Sequence, residues 1–243
     1  MSRSRIRIGI VLFFSMLATT VQAKMLFGDF SLSYLHGEDY KVGDNIRDVL
    51  TVEHASGHTW GDNFFFVDRL KSNNGDLETY FELSPRISTK ALLGQSLQAG
   101  FIKDVLLALT WEGDANPYSQ FNNYLTGIGF SFDVPGFRYF TANVYKVNNQ
   151  LLENDEQLTL TWGLPFNIGG AEFLYDGFVD WSSGKSDHAA ETNFTSQLKW
   201  NVGRLFSTSA PVYVGIEYAY WNNKFGIAGV KENNPCLLLK WHF

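Results

Sequence analysis

Apolar and polar residues alternate along this chain with a period of two, in one segment after another. In the closing stretch, Leu237, Leu239, Trp241 and Phe243 fall on one parity, and Leu238, Lys240 and His242 on the other. Successive side chains of a strand point to opposite faces, so one face here is a row of large apolar groups. The same pattern sets Leu158, Leu160, Trp162, Leu164 and Phe166 against Gln157, Thr159, Thr161 and Gly163. It sets Val212, Val214, Ile216, Tyr218 and Tyr220 against Tyr213, Gly215, Glu217 and Ala219. Twelve strands are predicted, over about 25–36, 46–56, 60–71, 77–88, 100–113, 124–134, 137–148, 156–166, 171–183, 189–202, 211–222 and 235–243. Only 89–98 has helical character. Pro135-Gly136 reads as a tight turn, and Asn167 to Gly170 as another.

Alternation of this kind fits either a soluble β-sandwich or a transmembrane barrel. The N-terminus separates them. Arg3, Arg5 and Arg7 precede an apolar run from Ile8 to Ala18, and Val21-Gln22-Ala23 has small residues where a leader is cut. This predicts a secretory signal peptide over 1–23 and one mature domain over 24–243. No later stretch has the roughly 20 apolar residues of a transmembrane helix. With 21 Phe, 11 Tyr and 7 Trp, aromatics are abundant, yet mean hydropathy is near neutral at −0.12. Strands that mix lipid-facing and lumen-facing residues give that balance. The expected fold is therefore all-β, an antiparallel transmembrane β-barrel of about twelve strands in a bacterial outer membrane. An even strand count puts both termini on one side, the periplasmic one. Connections near 57–59, 135–136 and 167–170 are then periplasmic and short. Those near 37–45, 114–123, 149–155 and 223–234 are extracellular. The long 89–99 and 203–210 connections are exceptions.

Charge and cysteine content narrow the function. A net charge of −6 argues against a nucleic-acid partner. The single cysteine, Cys236, excludes an intramolecular disulfide and reads as a small apolar group. None of the five histidines carries a Ser-His signature, so no catalytic residue is assigned and no enzyme is expected. His54 and His58 are four apart, but on strand and turn rather than helix, so no metal and no cofactor is assigned.

In a twelve-strand barrel the inward parity sets the chemistry of a narrow passage. In strand three, Asp62, Phe64, Phe66 and Asp68 share one parity. Two carboxylates in hydrocarbon would cost several kcal/mol, so this parity is predicted to face the lumen. Strand nine likewise puts Asp176, Phe178 and Asp180 inside, strand four Glu78, Tyr80, Glu82 and Arg86, and strand two Glu53. Aromatic faces beside carboxylates suit a planar, ring-bearing polar solute, since rings stack on bases at about 1–3 kcal/mol each and carboxylates accept hydrogen bonds from hydroxyl and amino groups. The alternative is that the Phe side chains fill a narrow barrel and the carboxylates pair with Arg86, Lys199 and Lys240. That reading gives a closed barrel with a structural, phage-receptor or adhesion role.

Strands two to four also carry a resemblance. Leu50-Thr-Val-Glu53, Trp60-Gly-Asp-Asn-Phe-Phe-Phe-Val-Asp68 and Phe81-Glu-Leu-Ser-Pro-Arg-Ile-Ser88, with Leu93-Gly94, resemble the nucleoside-specific outer-membrane channel family of Tsx and OmpK. The similarity continues through Leu109-Thr-Trp-Glu112, Asn122 to Gly129, Tyr175 to Asp180 and Lys240 to Phe243. It implies a monomeric twelve-stranded barrel that takes up nucleosides or deoxynucleosides and sometimes serves phages as a receptor. By matched position, the family's strand-three residues fall on Asp62, Phe64, Phe66 and Asp68. The terminal Phe243 also resembles the signal read by the outer-membrane assembly machinery.

Overall fold

The computed structural model describes residues 23–206 and 208–243. All but the last residue of the expected signal peptide lies outside the described residues. Twelve strands form a closed antiparallel barrel, each hydrogen-bonded to its sequence neighbours, with β12 closing on β1. They are β1 Met25–Gly37, β2 Arg47–His58, β3 Gly61–Ser72, β4 Leu77–Ser88, β5 Ile102–Ala115 and β6 Gln120–Phe132. Then come β7 Tyr139–Asn148, β8 Asp155–Ile168, β9 Ala171–Ser182, β10 Glu191–Asn201, β11 Val212–Asn222 and β12 Lys231–His242. No described helix is long and apolar enough to cross a membrane. Closure gives every strand a hydrogen-bonded neighbour on both sides, as a bilayer requires.

One end of the barrel, here called proximal, is where β1 begins and β12 ends. Its connections include two very tight ones. Gly169 and Gly170, at φ of 57° and 84°, make the two-residue turn between β8 and β9, a type I′ geometry that two glycines adopt without strain. The Pro135-Gly136 turn is closed by a Phe137 N–H to Val134 carbonyl bond of 3.1 Å. The 89–101 connection holds a short helix, α1 Thr89–Leu93, capped by Ser88 and stopped by Gly94 in the left-handed region.

Several predicted boundaries are corrected. The sixth strand begins at Gln120 rather than near 124, so the expected long 114–123 connection shrinks to 116–119. Asn122 and Asn123 read as loop because they are polar. In the strand they are satisfied, Asn122 by the indole N–H of Trp111 at 3.0 Å and Asn123 by donating to Glu112 at 2.8 Å. The last strand begins at Lys231, not 235, because Glu232 and Asn234 lie on its buried face and carry no hydrophobic signal. The closing seam pairs Ser31–His36 with Leu237–His242.

Burial alternates clearly along β1, β7 and β12, whereas β3, β4 and β9 are half-buried at nearly every position. Along β12, Glu232, Asn234, Cys236, Leu238 and Lys240 are buried while Leu237, Leu239 and Trp241 are exposed. A single-layer barrel can bury side chains in this way only on its concave face. The exposed parity forms the apolar outside, where rings stack along the wall: Phe81 on Trp111, Trp111 on Tyr124, Phe166 on Phe173, and Trp162 on Phe194. Inside, Leu35, Val49, Cys236 and Leu238 form one small apolar cluster, and Ala108, Leu125, Tyr145 and Val147 another. Most of the remaining interior is polar.

Candidate functional site

The strand ladders bring the predicted residues together. On β2, β3 and β4, Gly57, Asp62 and Arg86 lie side by side, then Ala55, Phe64 and Ser84, then Glu53, Phe66 and Glu82, then Thr51, Asp68 and Tyr80. On β9 the same concave face carries Asp176, Phe178 and Asp180, opposite Gln197, Thr195 and Asn193 of β10. Glu78 lies farther toward the distal end, where it pairs with Arg47 at 3.3 Å. All twelve predicted residues thus share one face, but they divide between two electrostatic zones.

The first zone lies toward the proximal end and is cation-paired. Arg86 grips Asp62 with two nearly parallel bonds of 2.8 and 2.7 Å, the geometry a guanidinium fork favours. Its remaining amino group reaches Asn143 of β7 at 3.4 Å, two strands beyond β4's neighbour. That chord crosses small residues. A Cβ at Gly129 would meet Asn143 Oδ1 at 2.6 Å and Arg86 Cδ at 3.6 Å, and Ala108 beneath is fully buried. Lys240 donates to Glu53 at 2.8 Å, and Lys199 to Asp176 at 2.7 Å and to Gln197 at 2.7 Å. Arg86, Lys199 and Lys240 each stand two residues before the last residue of their strand. Sequence reasoning named all three as pairing cations without assigning partners.

The second zone occupies the middle of the interior and is served by neutral donors, whereas Glu78 at the distal end is paired with Arg47. Asp68 accepts the Thr51 hydroxyl at 2.5 Å. Tyr80 donates to Glu82 at 2.7 Å and approaches Glu112 at 3.2 Å, and Glu112 also accepts from Asn123. Asp180 accepts from Thr159 at 2.5 Å, and Glu217 from Gln197 at 2.7 Å. Among the described residues, none of these five carboxylates makes an ion pair. Beside them runs an aromatic ladder: Phe64 to Phe66 at 5.9 Å between centroids, and Phe66 to Tyr80 at 5.7 Å. Phe64 is 37% exposed, so its face is open to a solute.

The distal rim holds what sequence reasoning missed. Lys224, in the 223–230 connection, donates to both oxygens of Glu232 at 2.7 and 2.6 Å. Tyr40, Trp221 and Phe225 surround its ammonium, with the Trp221 ring centre 4.5 Å away. Burial pulls the Lys224 ammonium below its ordinary range, which the Glu232 charge partly offsets. Asn223 and Phe225 flank it at φ of 52° and 57°, a conformation a bulky side chain adopts only when its surroundings enforce it. Glu232 also accepts from the Lys41 N–H at 2.9 Å, which ties the β1–β2 connection to the same site. His188, its side chain 5% exposed, bridges Asp155 at 3.0 Å and Asp187 at 2.6 Å. Burial works against its protonation, but the two carboxylates outweigh it and raise the imidazole pKa above 6.5. No sequence signal marked these contacts, because they join irregular segments to strand starts that read as loop. Among the described residues, no cluster of three or more ligating side chains could hold a metal ion.

No family model matches the chain. It is 29% identical over 252 residues to outer membrane protein OmpK of Vibrio parahaemolyticus serotype O3:K6 (strain RIMD 2210633), covering 90% of this chain and 88% of that one. A second OmpK of Vibrio parahaemolyticus is 25% identical over 246 residues, covering 89% and 90%. In backbone the barrel matches the KdgM porin, solved alone and in complex with disordered oligogalacturonate, at TM-scores of 0.50 and 0.51. That match covers 88% of this chain and 99% of the porin at 9% identity, a likeness of fold alone. The protein is an OmpK-related β-barrel of the bacterial outer membrane.

Proposed function

We propose that the barrel is a passive, substrate-selective channel for small polar solutes, with nucleosides the favoured class. The observation that carries this reading is the ladder Phe64–Phe66–Tyr80 alongside Asp68, Glu82 and Glu112. Those carboxylates hold only neutral donors. A hydroxyl or amino group of a solute can replace such a donor without separating an ion pair. A base can lie on the Phe faces while its sugar hydroxyls reach the carboxylates. Repeated weak contacts of this sort guide a solute through without trapping it. Glu53, Asp62 and Arg86, and Asp176 beside Lys199, already hold one another. In this reading they set the shape of the wall, while Phe178 and Asp180 continue the solute surface on the opposite side. Glu78 belongs to the distal entrance.

The chain works as a monomer, its strand ends and the 24–243 domain are delivered after removal of residues 1–23, and the proximal end faces the periplasm. Tight turns at 59–60 and 169–170 support that orientation, since barrels keep short turns on the periplasmic side.

Planar-bilayer conductance tests the channel. Nucleosides should block it transiently, and Phe64→Ala with Phe66→Ala should weaken the block by about thirtyfold, two lost stacking contacts of about 1 kcal/mol each. A barrel that inserts normally but conducts nothing, or conducts without response to nucleosides, refutes the proposal.

A further inference from the structure

The proximal end has an outer surface that its strands do not make. Two connections there, 89–101 and 202–211, leave large apolar side chains in the open. Leu92, Leu93, Leu97 and Phe101 are 50%, 64%, 44% and 65% exposed, and Leu205 and Phe206 66% and 69%. The first connection is not slack chain. Ser88 caps α1 by accepting from the Lys90 N–H at 3.1 Å. The Ser88 and Thr89 hydroxyls donate to Asp104 at 2.5 and 3.2 Å, and Thr89 accepts from the Leu97 N–H at 3.0 Å. The segment is knotted by its polar groups and turns its leucines outward, the reverse of a loop built for water.

Two observations say what covers these leucines. The first is continuity with the lipid-facing wall. The Phe101 ring lies 5.4 Å from that of Phe132, which continues to Phe130 at 6.3 Å and Phe140 at 5.9 Å. Phe130, Phe132 and Phe140 are on the outward parity, opposite the inward Ser131 and Thr141. The second is charge. Among the described residues, the exposed charged residues at this end are Lys24, Lys90, Lys103, Arg138 and Arg204 against Asp133, with the part-exposed carboxylates of Asp29 and Glu172 held by His242 and Arg204.

We propose that the 89–101 and 202–211 connections are membrane-interface anchors, lying in the headgroup layer of the phospholipid leaflet at the proximal end. Leu92, Leu93, Phe101 and Phe206 enter the acyl boundary, and Lys90 and Lys103 reach lipid phosphates, while Arg204 is held by Glu172. Amphipathic segments bind an interface through this combination of apolar area and cationic charge. Long cationic side chains extend from apolar surface to the headgroups. The inference does not depend on whether the barrel conducts.

The test uses the full barrel folded into phosphatidylcholine vesicles with or without about 30% phosphatidylglycerol, a charge density that gives a surface potential able to attract lysines. Cysteines replace Leu93, Phe206 or, as an aqueous reference in the opposite 73–76 turn, Gly75, in a Cys236→Ser background, and carry a fluorophore. Labels at 93 and 206 should be quenched by headgroup-depth nitroxide lipid and shielded from iodide by at least about fivefold relative to 75, as burial in the interface demands. Lys90→Glu with Lys103→Glu should reduce lipid quenching at 93 by about twofold in the anionic vesicles only. Iodide access at 93 and 206 equal to that at 75 overturns the proposal, and is also what a surface kept for a soluble partner would give. Should the cysteine variants fold poorly, hydroxyl-radical footprinting of the unaltered chain answers the same question. After normalisation to intrinsic reactivity, Leu92, Leu93 and Phe101 should oxidise at least about fivefold more slowly than Tyr118 at the distal end; equal rates overturn the proposal.

Discussion

The proximal and middle zones of this barrel's interior are built from the same residue types and do different things with them. Toward the proximal end, carboxylates meet cations: Asp62 with Arg86, Glu53 with Lys240, Asp176 with Lys199. In the middle, Asp68, Glu82, Glu112, Asp180 and Glu217 accept only from hydroxyl and amide groups. A paired charge is locked, because removing either member strands the other in a poorly solvated place. A carboxylate held by a hydroxyl can exchange donors without breaking an ion pair. The first zone is thus held by charge pairs, and the second offers acceptors whose donors can exchange.

The sharpest way to break this contrast is to remove a cation. Lys240→Met leaves Glu53 unpaired, and Lys199→Met does the same to Asp176. Each should destabilise the barrel by about 3 kcal/mol, the low end for a broken buried pair because Glu53 keeps 24% side-chain exposure. Urea unfolding in lipid vesicles measures this. A loss below about 1 kcal/mol, the scale of an exposed pair, would erase the distinction between the zones.

Next in size is Gly129→Leu. The added side chain must occupy the path of Arg86 to Asn143, where even a Cβ meets Asn143 Oδ1 at 2.6 Å. Overpacking of this kind costs about 1–3 kcal/mol. The same unfolding measurement should place it between the lysine variants and those of the middle zone.

Glu82→Gln should scarcely move stability, by less than about 1 kcal/mol, since an amide can still accept from Tyr80. It should instead lower the preference for cations over anions, read as a reversal potential across a salt gradient. Full loss of stability with no change in selectivity would reverse the assignment of the two zones.

The smallest effect lies at the rim. Because the folded pKa of His188 is raised, its stabilising contribution is complete below the unfolded value near 6.5 and fades as pH rises through the folded value. Amide exchange, corrected for intrinsic rate, should therefore quicken at Ala189, whose N–H bonds the Gly226 carbonyl, between pH 6 and pH 9. His188→Gln should abolish that pH dependence.

The strands were legible in the sequence because the bilayer enforces period-two alternation, and one parity assignment on strand three propagates around the ladder. Phe64, Phe66 and Asp68 sit where that alternation puts them. Partner choice was less legible. Parity says that Lys199 and Asp176 share a face, but only the register across β9 and β10 brings them to 2.7 Å. The Lys224–Glu232 pair was invisible, because one partner sits on a turn with left-handed backbone and the other on a strand start that reads as loop. The 116–119 turn was overestimated for the same reason: polar residues on an inward face look like loop until the wall behind them is known.

The β1–β12 seam has a kinetic consequence. It joins the fewest residue pairs of any seam in the barrel, six, yet contacts across it span the chain, as in the His242–Asp29 bond between residues 213 positions apart. Every hairpin in the sheet can zip locally, whereas this ladder must wait for both ends of the sheet to find each other. Its entropy of closure is the largest in the molecule and the return per pair the smallest. The seam is thus the slow step in maturation and the first line of parting under lateral tension. Across it the Phe243 ring stacks on Phe30 of β1 at 6.1 Å between centroids, with Trp241 5.3 Å from Phe243.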